Sequence, residues 1–290
     1  MHIHWFPGHM AKAQRMISKQ LSLIDVVVEL LDARIPVSSA NPIINELVGV
    51  KPRVVALNKS DLAEPAQTAE WLQYFRRQGF ATVALDAASG RGAKELVQKV
   101  EREASEKMAR IMAKGIMGRP VRAMILGIPN VGKSSLINRL LGAATAKTGD
   151  KPGVTRGQQW LKVGKNLELL DTPGVLWPRM DDQEVAFKLA VTSAIKDDIY
   201  DMEKVIVKLL AILRQNYASR LCDRYKLDPE HLPDDVGELL ALIGAKRGCL
   251  KSGGLVDCEK VRRIILTDFR SGRLGKFTLD RPELFQQAEV

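Results

Sequence analysis

The sequence is poor in the features that mark membrane-spanning and secreted proteins. Its 290 residues contain three cysteines, Cys222, Cys249 and Cys258, an odd number with no C-x-x-C pair. That argues against a disulfide framework or a structural zinc site. The longest apolar stretches, around Val26–Leu31 and Leu209–Leu213, fall well short of the ~20 residues of a spanning helix. The opening Met1-His-Ile-His-Trp-Phe-Pro-Gly-His9 has neither a charged-then-apolar signal peptide nor an Arg/Ser-rich transit peptide. No internal repeat or low-complexity run stands out. These absences exclude the membrane and small-secreted classes and leave a cytoplasmic location as the expectation. At ~150 residues per domain, the length suggests two domains.

What remains is an ordinary globular composition, 46% hydrophobic and 27% charged. Lys and Arg number 44 against 34 Asp and Glu, a net charge of +10. Such a surplus favours an anionic partner, with nucleic acid first. Residues 246–276 hold nine basic residues against three acidic ones. Charge alone is equally consistent with a solvated helix face. The candidate RNA contacts within this stretch are Lys246, Arg247, Lys251, Arg262, Arg263 and Arg270.

Five short β-rich runs, Val26–Leu31, Arg53–Leu57, Ala81–Leu85, Ala123–Leu126 and Leu167–Leu170, alternate with helical patterns over residues 25–171. Near-continuous apolar strands of this kind suit a parallel sheet covered on both faces. Gln158–Val163 reads as a sixth strand, hairpinned to Leu167–Leu170 through Gly164-Lys-Asn. After Trp177-Pro178 the strand signals stop and four amphipathic helical patterns follow. The expected domains are an N-terminal segment, 1–22, an α/β domain, 23–180, and an all-α domain, 181–290.

Gly127-Ile-Pro-Asn-Val-Gly-Lys-Ser134 fits the phosphate-loop pattern between a strand and a helix. Backbone N–H groups at such a helix start cradle phosphate oxygens. The expected nucleotide contacts here are Asn130, Val131, Gly132, Lys133, Ser134 and Ser135. Lys133 would reach the β- and γ-phosphates as a catalytic cation, and the Ser134 hydroxyl would bind Mg²⁺. Asn58-Lys-Ser-Asp61 follows a strand and selects the base. The Asp61 carboxylate only accepts hydrogen bonds, so it suits the N1–H and N2–H₂ donors of guanine and leaves adenine unpaired. Asn58 would support the pocket and the Lys59 stem would lie over the base. Asp171-Thr-Pro-Gly174 places Asp171 for Mg²⁺ and the Gly174 N–H for the γ-phosphate. Between them, Thr155 in Pro152-Gly-Val-Thr155 would close on Mg²⁺ and the γ-phosphate, with Thr145 and Thr148 as rivals. The linked motifs define a guanine-nucleotide site.

In a Ras-like GTPase the base-reading N-K-x-D comes last. Here it precedes the phosphate loop by about seventy residues, so the fold is read as a circularly permuted P-loop GTPase domain with a mainly parallel six-stranded sheet, followed by an all-α domain. The permuted order, Phe6-Pro-Gly-His9-Met10, Asp32-Ala-Arg-Ile-Pro36, the phosphate loop and Pro152-Gly-Val-Thr155 together resemble the ribosome biogenesis GTPase A family. Gly253-Gly-Leu-Val-Asp257 and Phe269-Arg-Ser-Gly-Arg-Leu-Gly275 are similar to that family's helical RNA-binding domain. The resemblance implies a GTP/GDP cycle on the large ribosomal subunit or its precursor, contact with large-subunit rRNA, and hydrolysis stimulated by the particle. It also departs from the family at Leu85-Asp86-Ala87, where Asp86 replaces the usual Ser; Ala87 N–H is still expected to contact guanine O6.

Ras-like enzymes carry a water-orienting glutamine after D-x-x-G, and Val175 stands there instead. The resemblance nominates His9, whose imidazole can orient a water near neutral pH. A solvated tail is the plainer reading of a segment holding three of the four histidines. A phosphate-loop asparagine in this position helps some GTPases bind K⁺, which makes Asn130 the candidate K⁺ ligand; a loop-shaping hydrogen bond is its alternative. Two other functions compete with the assembly factor, a nucleotide-stabilised RNA-binding module and a GTPase switch on a non-ribosomal partner. No membrane role is expected, and the chain is expected to be a monomer.

Overall fold

Val26–Asp32 is buried at every residue, and it forms β1 at the centre of the sheet. The computed structural model describes residues 7–114, 119–142, 160–170, 172, 174, 176 and 182–282, with side chains from residue 14 onward. The other strands are β2 (Arg53–Asn58), β3 (Ala81–Ala84), β4 (Val121–Leu126), β5 (Trp160–Val163) and β6 (Leu167–Leu170). Their order is β3-β2-β1-β4-β6-β5. All neighbours are parallel except β5, which pairs antiparallel with β6. The chain steps outward from β1 through β2 to β3, then starts again on its other side with β4. The crevice between β1 and β4 is therefore a topological switch point, where open α/β sheets place ligands.

Among the described residues, five helices belong to this unit: α1 (Pro7–Leu21), α2 (Pro42–Val48), α3 (Pro65–Arg77), α4 (Ala93–Ala113) and α5 (Lys133–Leu141). Residues 7–21, expected as part of a separate N-terminal segment, form a helix on the same core. Ile17 and Leu21 are buried with Ile44 and Val48 of α2 against Val27, Met124, Leu126 and Leu170. Each such side chain contributes roughly 1.5–3 kcal/mol by leaving water. A second cluster joins Leu31, Val55 and Leu57 to Trp71 and Phe75 of α3. The α2 start is set by Asn41, whose Oδ1 accepts from Ile43 N at 3.0 Å, with Pro42 in the first turn.

Asp25, just before β1, is a buried carboxylate. Arg119 donates to both its oxygens at 2.7 and 2.9 Å, Arg122 N donates at 2.9 Å, and Lys107 Nζ lies at 2.6 Å. Burial pushes its pKa up, but these donors outweigh it and bring it down to about 2. Asp25 thus stabilises the fold above the ordinary value of 3.8, and the contribution is lost as pH falls through about 2. Arg119→Ala is expected to cost about 2 kcal/mol at neutral pH. Urea unfolding should show the gap from the parent protein narrowing steadily from pH 4 downward.

The second unit spans Asp182–Lys276 and contains α6 (Gln183–Val191), α7 (Met202–Tyr225), α8 (Val236–Lys246) and α9 (Cys258–Arg270). Asp182, Asp201, Asp235 and Asp257 each cap one of these helices through a side-chain oxygen, worth typically ~1 kcal/mol apiece. Tyr217 leaves helical geometry at φ −143°, ψ 33° and kinks α7. Buried Asp268 of α9 accepts two bonds of 2.9 Å from Arg224 and one of 3.2 Å from the Tyr225 hydroxyl, tying α9 to α7.

The expected all-α domain of 181–290 needs one correction. From Phe277 the chain leaves the helical unit and belongs to the first. Phe277 N donates to Leu62 O at 3.0 Å, and Leu279 N to Arg34 O at 2.7 Å. Ser38 donates to Asp280 through N at 2.8 Å and Oγ at 2.7 Å. The α/β unit is therefore discontinuous in sequence.

Candidate nucleotide site

Asn58 ends β2 and is buried. Its Nδ2 donates to Val131 O of the phosphate loop at 2.7 Å, and its Oδ1 accepts from Ala87 N at 2.9 Å. One side chain thus joins the loops that follow β2, β3 and β4. Gly132 makes this possible: its φ is 106°, and a Cβ there would stand 2.2 Å from Asn58 Nδ2. Ala87 N–H, the donor expected to serve guanine O6, is bonded to Asn58 Oδ1 in this arrangement. Beside it, Asp86 accepts from Ala88 N at 3.0 Å, Ser89 N at 3.2 Å and the Ser89 hydroxyl, winding the loop into an Asx turn. Burial pushes the Asp86 carboxyl up, but the Ser89 and Ala88 hydrogen bonds and the Arg91 charge outweigh it and hold it below the ordinary range.

Lys59 takes a left-handed φ of 58°, and its Nζ lies 3.1 Å from Asp32 Oδ2. Asp32, only 1% exposed, is gripped by Arg34 through Nε at 2.9 Å, Nη2 at 2.7 Å and N at 3.1 Å. Burial raises the Asp32 pKa, yet the Arg34 and Lys59 charges drive it far below the carboxylate range. Asp32-Ala-Arg34 is therefore the anchor of the base-side lysine, a role the sequence pattern gave no means to assign. Leu62 N donates to Lys59 O at 2.9 Å, closing a turn that displays Asp61. The Asp61 carboxylate is half-buried and accepts no hydrogen bond among the described residues, so an acceptor pair is presented there.

In the phosphate loop, buried Lys133 donates to Gly127 O at 3.1 Å and Ile128 O at 2.8 Å. Asn130 is left-handed at φ 56°. Ser134 and Ser135 are half-buried in the first turn of α5, where the helix dipole favours an anion. The Ser134 hydroxyl has no hydrogen bond among the described residues, and an oxygen donor of that kind fits a hard cation such as Mg²⁺. Gly174 sits against the loop: a Cβ on it would meet Pro129 N at 2.7 Å and Lys133 Nζ at 3.1 Å. Thr172 Oγ1 holds that segment to β4 by donating to Ile125 O at 2.5 Å. The phosphate loop and the D-x-x-G glycine are thus together. Thr155 and Asp171, and the side chain of His9, lie outside the described residues; the His9 backbone is in α1.

The six candidate RNA contacts separate. Lys246 and Arg247 are exposed at the end of α8 with no side-chain hydrogen bond or ion pair among the described residues, and exposed Lys251 lies 3.9 Å from Asp257. Arg263 pairs with Glu259 at 2.7 Å on an open helix face, while Arg262 pairs with Glu203 at 2.8 Å and is mostly covered. Arg270 is drawn inward. It donates to Ala190 O, Val191 O, both Asp197 oxygens and the Tyr200 hydroxyl, so its donors hold the helical unit together.

A permuted β-strand order with a phosphate loop, D-x-x-G and N-K-x-D at one sheet edge defines a P-loop GTPase, and the protein is a GTP hydrolase. Residues 122–226 match the family described as 50S ribosome-binding GTPase. Ribosome biogenesis GTPase A of Priestia megaterium (strain DSM 319 / IMG 1521) is 51% identical over 288 residues, covering 99% of each chain. Its counterpart in Thermotoga maritima (strain ATCC 43589 / DSM 3109 / JCM 10099 / NBRC 100826 / MSB8) is 28% identical over 96% of this chain and 94% of its own. The GNP-bound crystal structure of YlqF from T. maritima is 26% identical, with a TM-score of 0.63 over 94% of this chain and 99% of that one. The chain belongs to the ribosome biogenesis GTPase A family and is a GTPase of ribosome biogenesis.

Proposed function

We propose that this protein is a GTP-gated assembly factor of the large ribosomal subunit, a cytoplasmic monomer whose hydrolysis the particle stimulates. The nucleotide part of this reading is carried by Asn58, which ties the base-reading loop to the phosphate loop with one side chain. The large-subunit part draws on the matched family's description as 50S ribosome-binding.

In this reading Asp61 accepts from guanine N1–H and N2–H₂, and Lys59, steadied by Asp32, lays its stem over the base. The N–H groups from Asn130 to Ser135 hold the phosphates, Lys133 turns to the β- and γ-phosphates, and Gly174 N–H reads the γ-phosphate. Ser134, Thr155 and Asp171 would hold Mg²⁺, which when bound offsets the charge growing on the phosphate oxygens. Asn130 would hold K⁺. His9 orients the attacking water that Val175 cannot bind. Lys246, Arg247 and Lys251, flanked by Arg263, meet rRNA phosphates.

The test is GTP hydrolysis in K⁺ or Na⁺ buffer, alone and with purified large or small subunits. Stimulation by the large subunit alone, weaker in Na⁺, is expected. His9→Ala should keep GTP affinity and lower the stimulated rate by about 100-fold. A rate indifferent to both particles overturns the assembly-factor reading in favour of another partner. Loss of subunit binding in His9→Ala would make that residue an anchor and not a catalytic group.

A further inference from the structure

The loop bearing Asp61 is held from both sides, and one side is supplied by the far end of the chain. Upstream, Asn58 and Lys59 are fixed by Val131, Ala87 and Asp32. Downstream, Leu62 O accepts from Phe277 N at 3.0 Å, and Glu64 N donates to Thr278 Oγ1 at 3.1 Å. These are the main-chain groups one and three residues after Asp61, and both are bonded by the segment Phe277–Asp280. That strap is itself immobilised. Phe277, Thr278 and Asp280 are at most 1% exposed. Asp280 Oδ1 and Oδ2 accept from Ser38, its carbonyl accepts from Trp71 Nε1 at 3.2 Å, and Leu279 N donates to Arg34 O at 2.7 Å. Arg34 in turn grips Asp32, the partner of Lys59. The strap therefore bonds the Asp61 loop directly downstream and reaches Lys59 upstream through Arg34 and Asp32, while Ser60 is held separately by Leu85 O.

We infer that Phe277–Asp280 is a positioning element for guanine recognition: it touches no nucleotide, but it sets the Asp61 carboxylate where it can take both guanine donors. The inference rests on the reading of Asp61 as the base-selecting residue. A misplaced Asp61 should lose discrimination before it loses phosphate binding, because the phosphate loop has its own supports. Inosine triphosphate lacks the 2-amino group and offers Asp61 one donor instead of two, so the ratio of GTP to ITP affinity reports how well Asp61 is aimed.

Equilibrium binding of GTP and ITP to the full-length protein tests this, using Thr278→Val, which keeps the side-chain shape and removes the acceptor for Glu64 N. Thr278→Ser, which restores the acceptor, is the rescue. Thr278→Val is expected to weaken GTP about tenfold and ITP about threefold, with Thr278→Ser close to the parent. The ratio does not depend on what fraction of molecules is folded, so a general loss of stability leaves it unchanged. Equal losses for both nucleotides, or none, would overturn the proposal and make the strap a stability clamp only. Asp61→Asn, assayed alongside with xanthosine triphosphate, separates the two claims. A switch to xanthosine triphosphate with an unmoved Thr278→Val ratio sinks the strap alone, whereas no switch sinks the reading of Asp61.

Discussion

Asp61→Asn will exchange the base preference of this protein, with GTP affinity falling by roughly 100- to 1,000-fold while xanthosine triphosphate gains. The carboxylate offers acceptors only, and in the structure it is displayed by the Lys59–Leu62 turn with no hydrogen bond among the described residues. Guanine supplies two donors. An asparagine turns one of the two acceptors into an N–H₂ group that faces another donor. The variant loses a charge-assisted hydrogen bond, about 1.5–3 kcal/mol, and strands a donor at about 1–3 kcal/mol. Xanthine carries a 2-oxo group in place of the amine, so the new N–H₂ finds an acceptor. Calorimetric titration with both nucleotides gives the answer, and an unchanged preference for GTP would remove Asp61 from the base pocket.

Removal of the Asp32 carboxylate should be the most damaging single change to the fold. Arg34 is 2% exposed, and Asp32 takes its Nε and Nη2 donors. Asp32→Ala removes the buried carboxylate that takes two of this guanidinium's donors and also pairs Lys59, a loss of about 3–5 kcal/mol. A domain of ordinary stability holds only about 5–15 kcal/mol in reserve, so the urea midpoint should fall sharply. The double substitution Asp32→Ala with Arg34→Met should recover part of the loss, because the buried guanidinium is removed together with the carboxylate. A single variant costing under about 1 kcal/mol would show that the pair is dispensable. GTP affinity should fall in both variants, since Lys59 loses its anchor.

What could be read directly from the sequence was whatever announces itself locally. Val26–Asp32 is a run of seven buried residues and declares a central parallel strand. Gly127–Ser134 carries its own turn chemistry between a strand and a helix. The order of the motifs alone implied the permuted sheet. What stayed hidden depends on partners distant in sequence. Nothing near Asp280 indicates that it will meet Ser38, 242 residues earlier. The charge of Arg270 looks like surface charge until two helix-end carbonyls and Asp197 surround it. The bond from Ala87 N–H to Asn58 was hidden in the same way, since its acceptor lies 29 residues earlier. The helix after Asn41-Pro42 is seven residues long and has too few turns to show a period.

The return of Phe277–Asp280 to the first unit also fixes an order of events during synthesis. A chain leaves the ribosome from its N-terminus, and domains fold as their residues become available. The six strands seen among the described residues are all made before residue 182, and the helical unit follows. Until residue 280 emerges, Ser38, the Trp71 indole N–H and the carbonyls of Arg34 and Leu62 have no strap to bond. The nascent GTPase unit therefore carries an open seam beside its base-reading loop for as long as the entire helical unit is being translated, and that seam closes only once Phe277–Asp280 has been made.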